Sequence, residues 1–557
     1  MKRNALALGV AAALGLVGVA QAQNIVAATP AAPIANAFEF NPQGVGHVLI
    51  APYYTAAGGN FTNINIVNTD SVNGKLVKVR FRSAANSDDV FDFQLFMSPN
   101  DMWSAAIAED EATGLATLLT HDTSCTLPSG VKGGTANLFV TDRINAVGLA
   151  DGDLQAWTRE GYVEVLNMAD IPGPTAPAPI KAATYDVDED GLGKAGQLFR
   201  TVKHVSGVAP CDYSGVLNTA NYGAEFADMV AAGKKGLFFP SGKLFGNSTI
   251  VNGKQTQVFS SELAAIVATS DVKKNTSDYG NFSFFPQLNS APTSVPDNLT
   301  SDPLLRTANV EHSGGAMPVG VALPLVAPRA FDFPDLSTPY VGPVGTATAP
   351  ITSAAKLMAA VATASVSNEF YNNVAEYGGK TDWVFSMPLR RYQAAMDYRR
   401  GDRAVLIPGY DGRVFTRAAT AEQYFDATNT ALDAAGGSKI CVATNGVSQF
   451  DREEGTVTSG FVISPGTASS VRFCGEVSVV SIGGTATPET PVLGSRVAGV
   501  SISSNYKEGW MRIATPGIAA KGLPILGKAY MSARNGSAAE GVAANYGLSF
   551  AHRYAKP

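Results

Sequence analysis

The feature that most constrains the fold is a two-residue alternation of apolar and polar side chains near the start of the chain. Four segments carry it, at residues 46–54, 61–68, 76–83 and 90–97. Gly, Asn and Asp residues occupy the connections between them, as in turns between antiparallel strands. Side chains that alternate in this way point to opposite faces of a sheet. The pattern predicts an all-β protein of antiparallel, immunoglobulin-like β-sandwiches with long loops and a few short helices.

The segments 76–83 and 90–97 predict a hairpin with two unlike faces. The apolar face carries Val77, Val79, Phe81, Phe91, Phe93, Leu95 and Met97. The polar face carries Lys78, Arg80, Arg82, Asp92 and Gln94. Since alternation alone accounts for this spacing, we expect the basic row to be a solvated sheet face and not a ligand-binding face.

The first 22 residues have the features of a secretory signal peptide. Lys2 and Arg3 precede an apolar run, and Ala20-Gln21-Ala22 forms a small-x-small cleavage site. The run is shorter than the roughly 20 residues that a spanning helix needs, and no later segment is long and apolar enough. We therefore expect export, cleavage after Ala22, and no transmembrane segment in the mature chain.

The charge content narrows the possible partners. Charged residues make up only 16% of the chain, whereas soluble proteins average roughly 25%. The formal net charge of -6 repels phosphate backbones, so a nucleic-acid partner is not expected. Low charge with 56 Gly and 31 Pro residues favours an extended, turn-rich β protein.

Changes in composition along the 557 residues predict five segments. They are a signal peptide (1–22), an N-terminal β-sandwich (23–171), a Pro-rich and acidic linker or insertion (172–220), a middle β region with long loops (221–380) and a C-terminal β region (381–557).

The four cysteines predict two disulfides, because an even number in an exported protein favours complete pairing. Three connectivities are possible. Closure of short loops favours Cys125 with Cys211 and Cys441 with Cys474. Close C-x-x-C pairs, which a zinc site would need, do not occur.

An acidic segment is the one candidate metal site. Asp186, Asp188 and Asp190, followed by Gly191, match the first half of a calcium-binding loop. Gln197 stands where such a loop needs a bidentate glutamate. Calcium is therefore a possible cofactor, and a solvated acidic turn is the alternative. We expect no other cofactor.

Catalytic motifs are not evident in the sequence. The five histidines are far apart, and no G-x-S-x-G segment occurs. The segment 522–528, GLPILGK, has the spacing of a phosphate-binding loop, but Ala529 replaces the Ser or Thr that holds magnesium. We predict a strand with glycine ends there and no catalytic residues.

Several segments together resemble a family of uncharacterised proteobacterial exported proteins described as cell-surface proteins. They are HVLIAPYYTAAGGNFTNINIVNTD, VKVRFRSAANSDDVFDFQLFMSPNDMWSA, GKLFGNSTIVN, TDWVFSMP and CGEVSVVSI. The resemblance implies a location at the cell surface, where a regular surface layer is one role that such a protein could fill.

These observations predict a noncatalytic, exported structural protein that associates with itself or with cell-envelope components. It would be a subunit of a surface layer or an extracellular matrix. A secreted adhesin or carbohydrate-binding protein is the first alternative, because an exposed row of aromatic residues could bind sugar. A secreted hydrolase, which needs a polar pocket with convergent acids, is the second.

Overall fold

The computed structural model describes about two thirds of the chain. The described residues are 23–25, 35, 37–141 (without 86 and 88), 151–176, 194–213, 216–217, 236–269, 280, 282–284, 350–396, 405–406, 423–433 (without 427), 439–453, 456–457, 471–483, 489–497, 500–502, 504 and 506–557 (without 541).

Fifteen strands are found among the described residues before position 285. They are β1 (Gln23–Ile25), β2 (Ala37–Phe40), β3 (Val48–Thr55), β4 (Asn60–Asn68), β5 (Gly74–Ser83), β6 (Asp89–Met97), β7 (Met102–Glu109), β8 (Ala116–Leu119), β9 (Cys125–Leu127), β10 (Ala136–Leu138), β11 (Glu160–Ile171), β12 (Leu244–Asn252), β13 (Gln257–Glu262), β14 (Ala264–Thr269) and β15 (Phe282–Phe284).

Seventeen strands are found in the part of the chain after residue 360 that the structure describes. They are β16 (Ala362–Thr363), β17 (Ser365–Tyr371), β18 (Lys380–Ser386), β19 (Ala395–Met396), β20 (Val405–Leu406), β21 (Thr430–Leu432), β22 (Ile440–Ala443), β23 (Asn445–Phe450), β24 (Thr456–Val457), β25 (Arg472–Cys474), β26 (Val477–Ile482), β27 (Val500–Ile502), β28 (Glu508–Ala514), β29 (Leu523–Pro524), β30 (Leu526–Ala539), β31 (Val542–Ala551) and β32 (Arg553–Ala555).

Helices are few and short. The α-helices among the described residues are α1 (Asp151–Thr158), α2 (Lys194–Val202) and α3 (Pro350–Val361), and single 3-10 turns occupy Arg390–Tyr392 and Ile518–Ala520. No described helix has the length and apolar character to cross a membrane. The predicted all-β sandwich architecture is confirmed.

The first sandwich packs a six-strand sheet on a seven-strand sheet. The six-strand sheet has the order β10-β8-β7-β4-β12-β13, and the seven-strand sheet has the order β2-β14-β3-β11-β5-β6-β9. Strands β12, β13 and β14 follow the predicted linker at 172–220, yet β12 pairs with β4 and β14 pairs with β3 of the predicted N-terminal segment. Strand β13 extends the six-strand sheet from β12. The first sandwich is therefore completed by residues 244–269.

Alternation explains the core of this sandwich. Ile64, Ile66 and Trp103 from the six-strand sheet and Val79 and Phe93 from the seven-strand sheet are buried in one apolar cluster. The Phe93 and Trp103 rings lie 5.4 Å apart. The apolar face predicted for the β5–β6 hairpin is this inner face.

The second sandwich consists of two five-strand sheets. The inner five-strand sheet has the order β27-β26-β18-β30-β31, and the outer five-strand sheet has the order β24-β23-β28-β17-β32. Trp383 on β18 bridges them, because its indole Nε1–H donates to the Glu369 carbonyl on β17 at 3.0 Å. Phe370 and Met511 of the outer sheet are buried in the same cluster as Trp383.

The two sandwiches stack into four layers. Tyr53 on β3 contacts Tyr530 on β30 edge to face, with ring centroids 6.4 Å apart. One apolar cluster runs from the second face of the seven-strand sheet into the second sandwich. The seven-strand sheet is therefore covered on both faces.

Both disulfides have the predicted pairing. Cys125 on β9 is bonded to Cys211, which follows α2. Cys441 and Cys474 face each other on the neighbouring strands β22 and β25. The first disulfide attaches the α2 region to the edge of the seven-strand sheet.

Candidate functional site

The basic row on β5 is buried, so the prediction that it forms a solvated face is wrong. Lys78, Arg80 and Arg82 each have 0% exposure. The predicted hairpin forms, and in its register Arg80 lies opposite Asp92 and Lys78 lies opposite Gln94. The cause is long-range: the 3-10 turn at Arg390–Tyr392 and the residues around Glu476 belong to the second sandwich, and they cover this face.

Acidic groups on β6 and β11, the two strands beside β5, pair with the basic row. Lys78 Nζ lies 2.9 Å from Asp92 Oδ1, and Arg82 Nε lies 3.0 Å from Glu164 Oε2. Glu164 Oε1 accepts a hydrogen bond from Arg391 at 2.7 Å. Glu164 on β11 therefore links the basic row of the first sandwich to an arginine of the second.

Burial controls the ionisation of these groups. Desolvation, with a contribution from Asp89, raises the pKa of Asp92 to about 7. Desolvation also lowers the pKa of Lys78 to about 8, although Asp92 opposes the shift. Burial alone would raise the pKa of Glu164, but the Arg391 and Arg82 charges outweigh it, so that this pKa lies below its ordinary value. Glu164 is thus an ionised carboxylate held between two guanidinium groups.

A second polar contact joins the sandwiches at Glu160. Tyr53 donates to Glu160 Oε1 at 2.6 Å, and Ser495 of the second sandwich donates to the same oxygen at 2.5 Å. The Arg496 backbone N–H donates to the other carboxylate oxygen at 3.0 Å. These buried contacts position the layers, and the pairing of their charges within the protein favours a structural role.

The outward face of the six-strand sheet has a different composition. It is called the uncharged sheet face below. Its outward residues in the described strands are Phe61, Asn63, Asn65, Val67, Met102, Ser104, Ala106, Ala108, Thr117, Leu119, Ala136, Leu138, Phe245, Asn247, Thr249, Val251, Val258, Ser260 and Glu262.

Cross-strand registers order these side chains into rows. Asn65 lies opposite Asn247 on β12 and Ser104 on β7, and Asn65 Nδ2 donates to Asn247 Oδ1 at 2.7 Å. Thr249 lies opposite Asn63 on one side and Ser260 on the other. Glu262, at the end of the outermost strand β13, is the only charged residue among those outward positions.

Exposed apolar side chains border these rows. Met102 is 51% exposed and Val258 is 50% exposed, and Phe61, Leu119 and Leu138 are also exposed. Solvent-facing sheets ordinarily carry Lys and Glu residues that keep them apart from other chains. A flat face that lacks those charges can pack against another protein surface without burying unpaired ions.

The predicted calcium ligands Asp186, Asp188 and Asp190 lie outside the described residues, and so does Gly191. Within the part of the chain that the structure describes, no three His, Cys, Asp or Glu side chains are grouped as metal ligands. Segment 522–528 was predicted as one strand with glycine ends, and it contributes residues to two strands, β29 and the start of β30, with Gly527 inside β30. Lys528 there is buried and donates to the Glu262 carbonyl at 2.5 Å.

The tryptophans divide between core and surface. Trp103 and Trp383 are fully buried, whereas Trp510 on β28 is 40% exposed. The sequence contained a signal for this difference, since Trp510 and Arg512 alternate with the buried Met511 and Ile513. The alternation therefore predicts that Trp510 lies on the same side of β28 as Arg512, away from the buried side chains.

The chain was compared with family models, curated proteins and solved structures, and no match was found. The fold defines the class of the protein as a multilayer, all-β sandwich. The residues exposed on its sheets are the evidence for its function.

Proposed function

We propose that the chain is a noncatalytic, exported structural subunit that associates with itself at the cell surface, in a surface layer or an extracellular matrix. The uncharged sheet face carries this proposal. Its rows of Asn, Thr, Ser and small apolar residues are bounded by a single charge at Glu262.

The face is large enough for a specific contact. It spans six strands, and β4 and β12 pair over nine residues each. With about 4.8 Å between strands and about 3.3 Å per residue, its area is on the order of 700 Å². Standard interfaces bury about 800 Å² on each partner, with wide variation. A second copy of the same face would supply a matching area.

A second copy is the occupant that fits this composition. A two-fold contact places the same patch on both subunits, so that any charge would meet its own kind near the axis. The patch avoids this repulsion because its centre is uncharged, and the amide side chains of Asn63, Asn65 and Asn247 both donate and accept hydrogen bonds. Sheets that pack face to face in this manner form the cores of sandwiches. A further contact elsewhere would extend such pairs into a layer.

The first experiment measures the mass of the mature chain by light scattering, with and without calcium because Asp186, Asp188 and Asp190 are predicted ligands. Its N-terminal residue, determined by mass spectrometry, should be Gln23 if export removes residues 1–22. We expect at least a dimer. The double variant Ala106→Lys with Thr249→Lys should be monomeric, since it brings lysines on two copies together.

The matched control is Ala112→Lys with Val205→Lys, which adds the same charge at exposed positions outside the sheet face. The control should keep the mass of the unmodified chain. A monomeric unmodified protein, or a face variant that assembles as well as the control does, would show that this face is not the contact.

A further inference from the structure

The outer five-strand sheet carries a cleft of about 750 Å³ on the side away from the core. The solvent-facing side chains of β17, β23 and β28 form the floor of the cleft. Aromatic and charged side chains line it, chiefly Tyr371, Phe450, Trp510, Glu369, Arg452 and Glu508. This volume lies within the roughly 300–1,000 Å³ range of small-molecule sites.

The indole of Trp510 stacks on a second aromatic ring in the cleft. Its ring is parallel to that of Phe450 within 9°, and the two centroids are 4.0 Å apart. Since Phe450 covers one face of the indole, the exposed 40% of the side chain belongs to the other face and the edge. The exposed face of the Trp510 indole is therefore an apolar surface of fixed orientation, which lowers the side-chain conformational entropy lost when a ligand binds.

The backbone beside Trp510 is built for this close stacking. A Cβ atom at Gly509 would lie 2.0 Å from the Phe450 carbonyl oxygen. Only glycine therefore allows β23 and β28 to approach closely at this point. The approach brings Phe450 and Trp510 side by side, as the register of the two strands shows.

Planar polar side chains surround the exposed face of the Trp510 indole. Glu508 accepts a hydrogen bond from the Tyr377 hydroxyl at 2.8 Å and forms an ion pair with Arg452 at 2.9 Å, and these contacts orient its carboxylate. Glu369 lies directly opposite Trp510 on β17 and is exposed. Among the described residues, the Glu369 carboxylate and the Trp510 indole N–H have no hydrogen-bond partner. They are a hydrogen-bond acceptor and a hydrogen-bond donor beside one exposed aromatic face.

We propose that this cleft binds a neutral polysaccharide chain. A pyranose ring has an apolar C–H face that packs on an aromatic ring. Its neighbouring hydroxyls form hydrogen bonds with carboxylates and guanidinium groups. Glu369, Glu508 and Asp451 outnumber Arg452 along the lining, so uronate and sulfate sugars are disfavoured. The proposal is independent of self-association, because the cleft and the uncharged sheet face lie on different sheets.

The test is affinity electrophoresis of the full mature chain in native gels that contain neutral glucan, galactomannan or a polyuronate. We expect the neutral polysaccharides to retard the protein and the polyuronate to have no effect. Trp510→Ala should weaken retardation at least tenfold, and Trp510→Phe should restore part of it. Glu369→Gln should weaken it several-fold.

Tyr546→Ala is the matched control, because Tyr546 is a 51% exposed aromatic residue on β31, outside the cleft. Circular dichroism verifies that each variant is folded. The proposal is overturned if no neutral polysaccharide retards the chain, if only the polyuronate does, or if Tyr546→Ala and Trp510→Ala have equal effects. Loss of retardation with unchanged mass in light scattering separates this site from the self-association surface.

Discussion

At the scale of single residues, Glu164 is the carboxylate on which the contact between the sandwiches most depends. It pairs with Arg82 and Arg391, and both arginines are buried. Glu164→Gln should therefore destabilise the protein by about 3–5 kcal/mol, since it removes the negative charge that two buried guanidinium groups share. Guanidinium chloride unfolding, followed by tryptophan fluorescence, measures the loss.

The control is a surface ion pair of similar geometry. Lys507 Nζ lies 2.7 Å from Glu376 Oε1, but both side chains are largely exposed. Glu376→Gln should leave the unfolding midpoint unchanged within error, because solvent screens exposed pairs. Equal midpoints for the two variants would mean that the buried ion pairs of Glu164 contribute no more to the free energy of unfolding than the exposed pair does.

Residue patterns predicted the faces of the hairpin but not their surroundings. Alternation correctly separated Val77 and Val79 from Lys78 and Arg80, and Asp92 lies on the polar face beside the basic row, as expected. Alternation states only that two faces differ. Whether the polar face meets water or a second sheet depends on Arg391, which is 227 residues from Glu164 in sequence, and no local pattern records that contact.

At the scale of elements, Gly161 sets how closely the central strands of the seven-strand sheet can pair. It lies on β11 between β3 and β5, and a Cβ there would be 1.8 Å from the Arg82 carbonyl oxygen. Gly161→Ala should cost at least about 2 kcal/mol, because backbone in the middle of a sheet cannot move away easily. Thermal unfolding measures the change.

Gly253→Ala is the matched control, in the turn between β12 and β13. A Cβ at Gly253 has no atom within 4 Å. Its melting temperature should equal or slightly exceed that of the unmodified protein, since alanine restricts the unfolded chain. The hypothesis of close approach at Gly161 fails if both alanine variants melt together.

Strands with strong alternation were predicted well. The segments 46–54, 61–68, 76–83 and 90–97 correspond to β3, β4, β5 and β6 with shifts of one or two residues. The assignment of strands to sheets was less accessible, because β12 to β14 join the first sandwich across a long intervening segment. The exposed phase of Trp510 could be predicted from its strand, but its stacking on Phe450 needed the register of β23 with β28.

At the scale of the whole molecule, the two sandwiches should unfold together. Buried hydrogen bonds cross between them at Glu160 and Glu164, and one apolar cluster continues through both. Scanning calorimetry of the mature chain should show a single cooperative transition, since neither sandwich can separate without exposing buried charges. Two well-separated transitions would contradict this coupling.

The contact between Glu164 and Arg391 also has a consequence for biogenesis. Ribosomes add about 5–20 residues per second, so the 227 residues between the two partners represent about 10–45 seconds of synthesis. Throughout that interval the basic row of β5 lacks the cover that the completed chain supplies. The nascent first half therefore stays short of its final packing until the later strands exist.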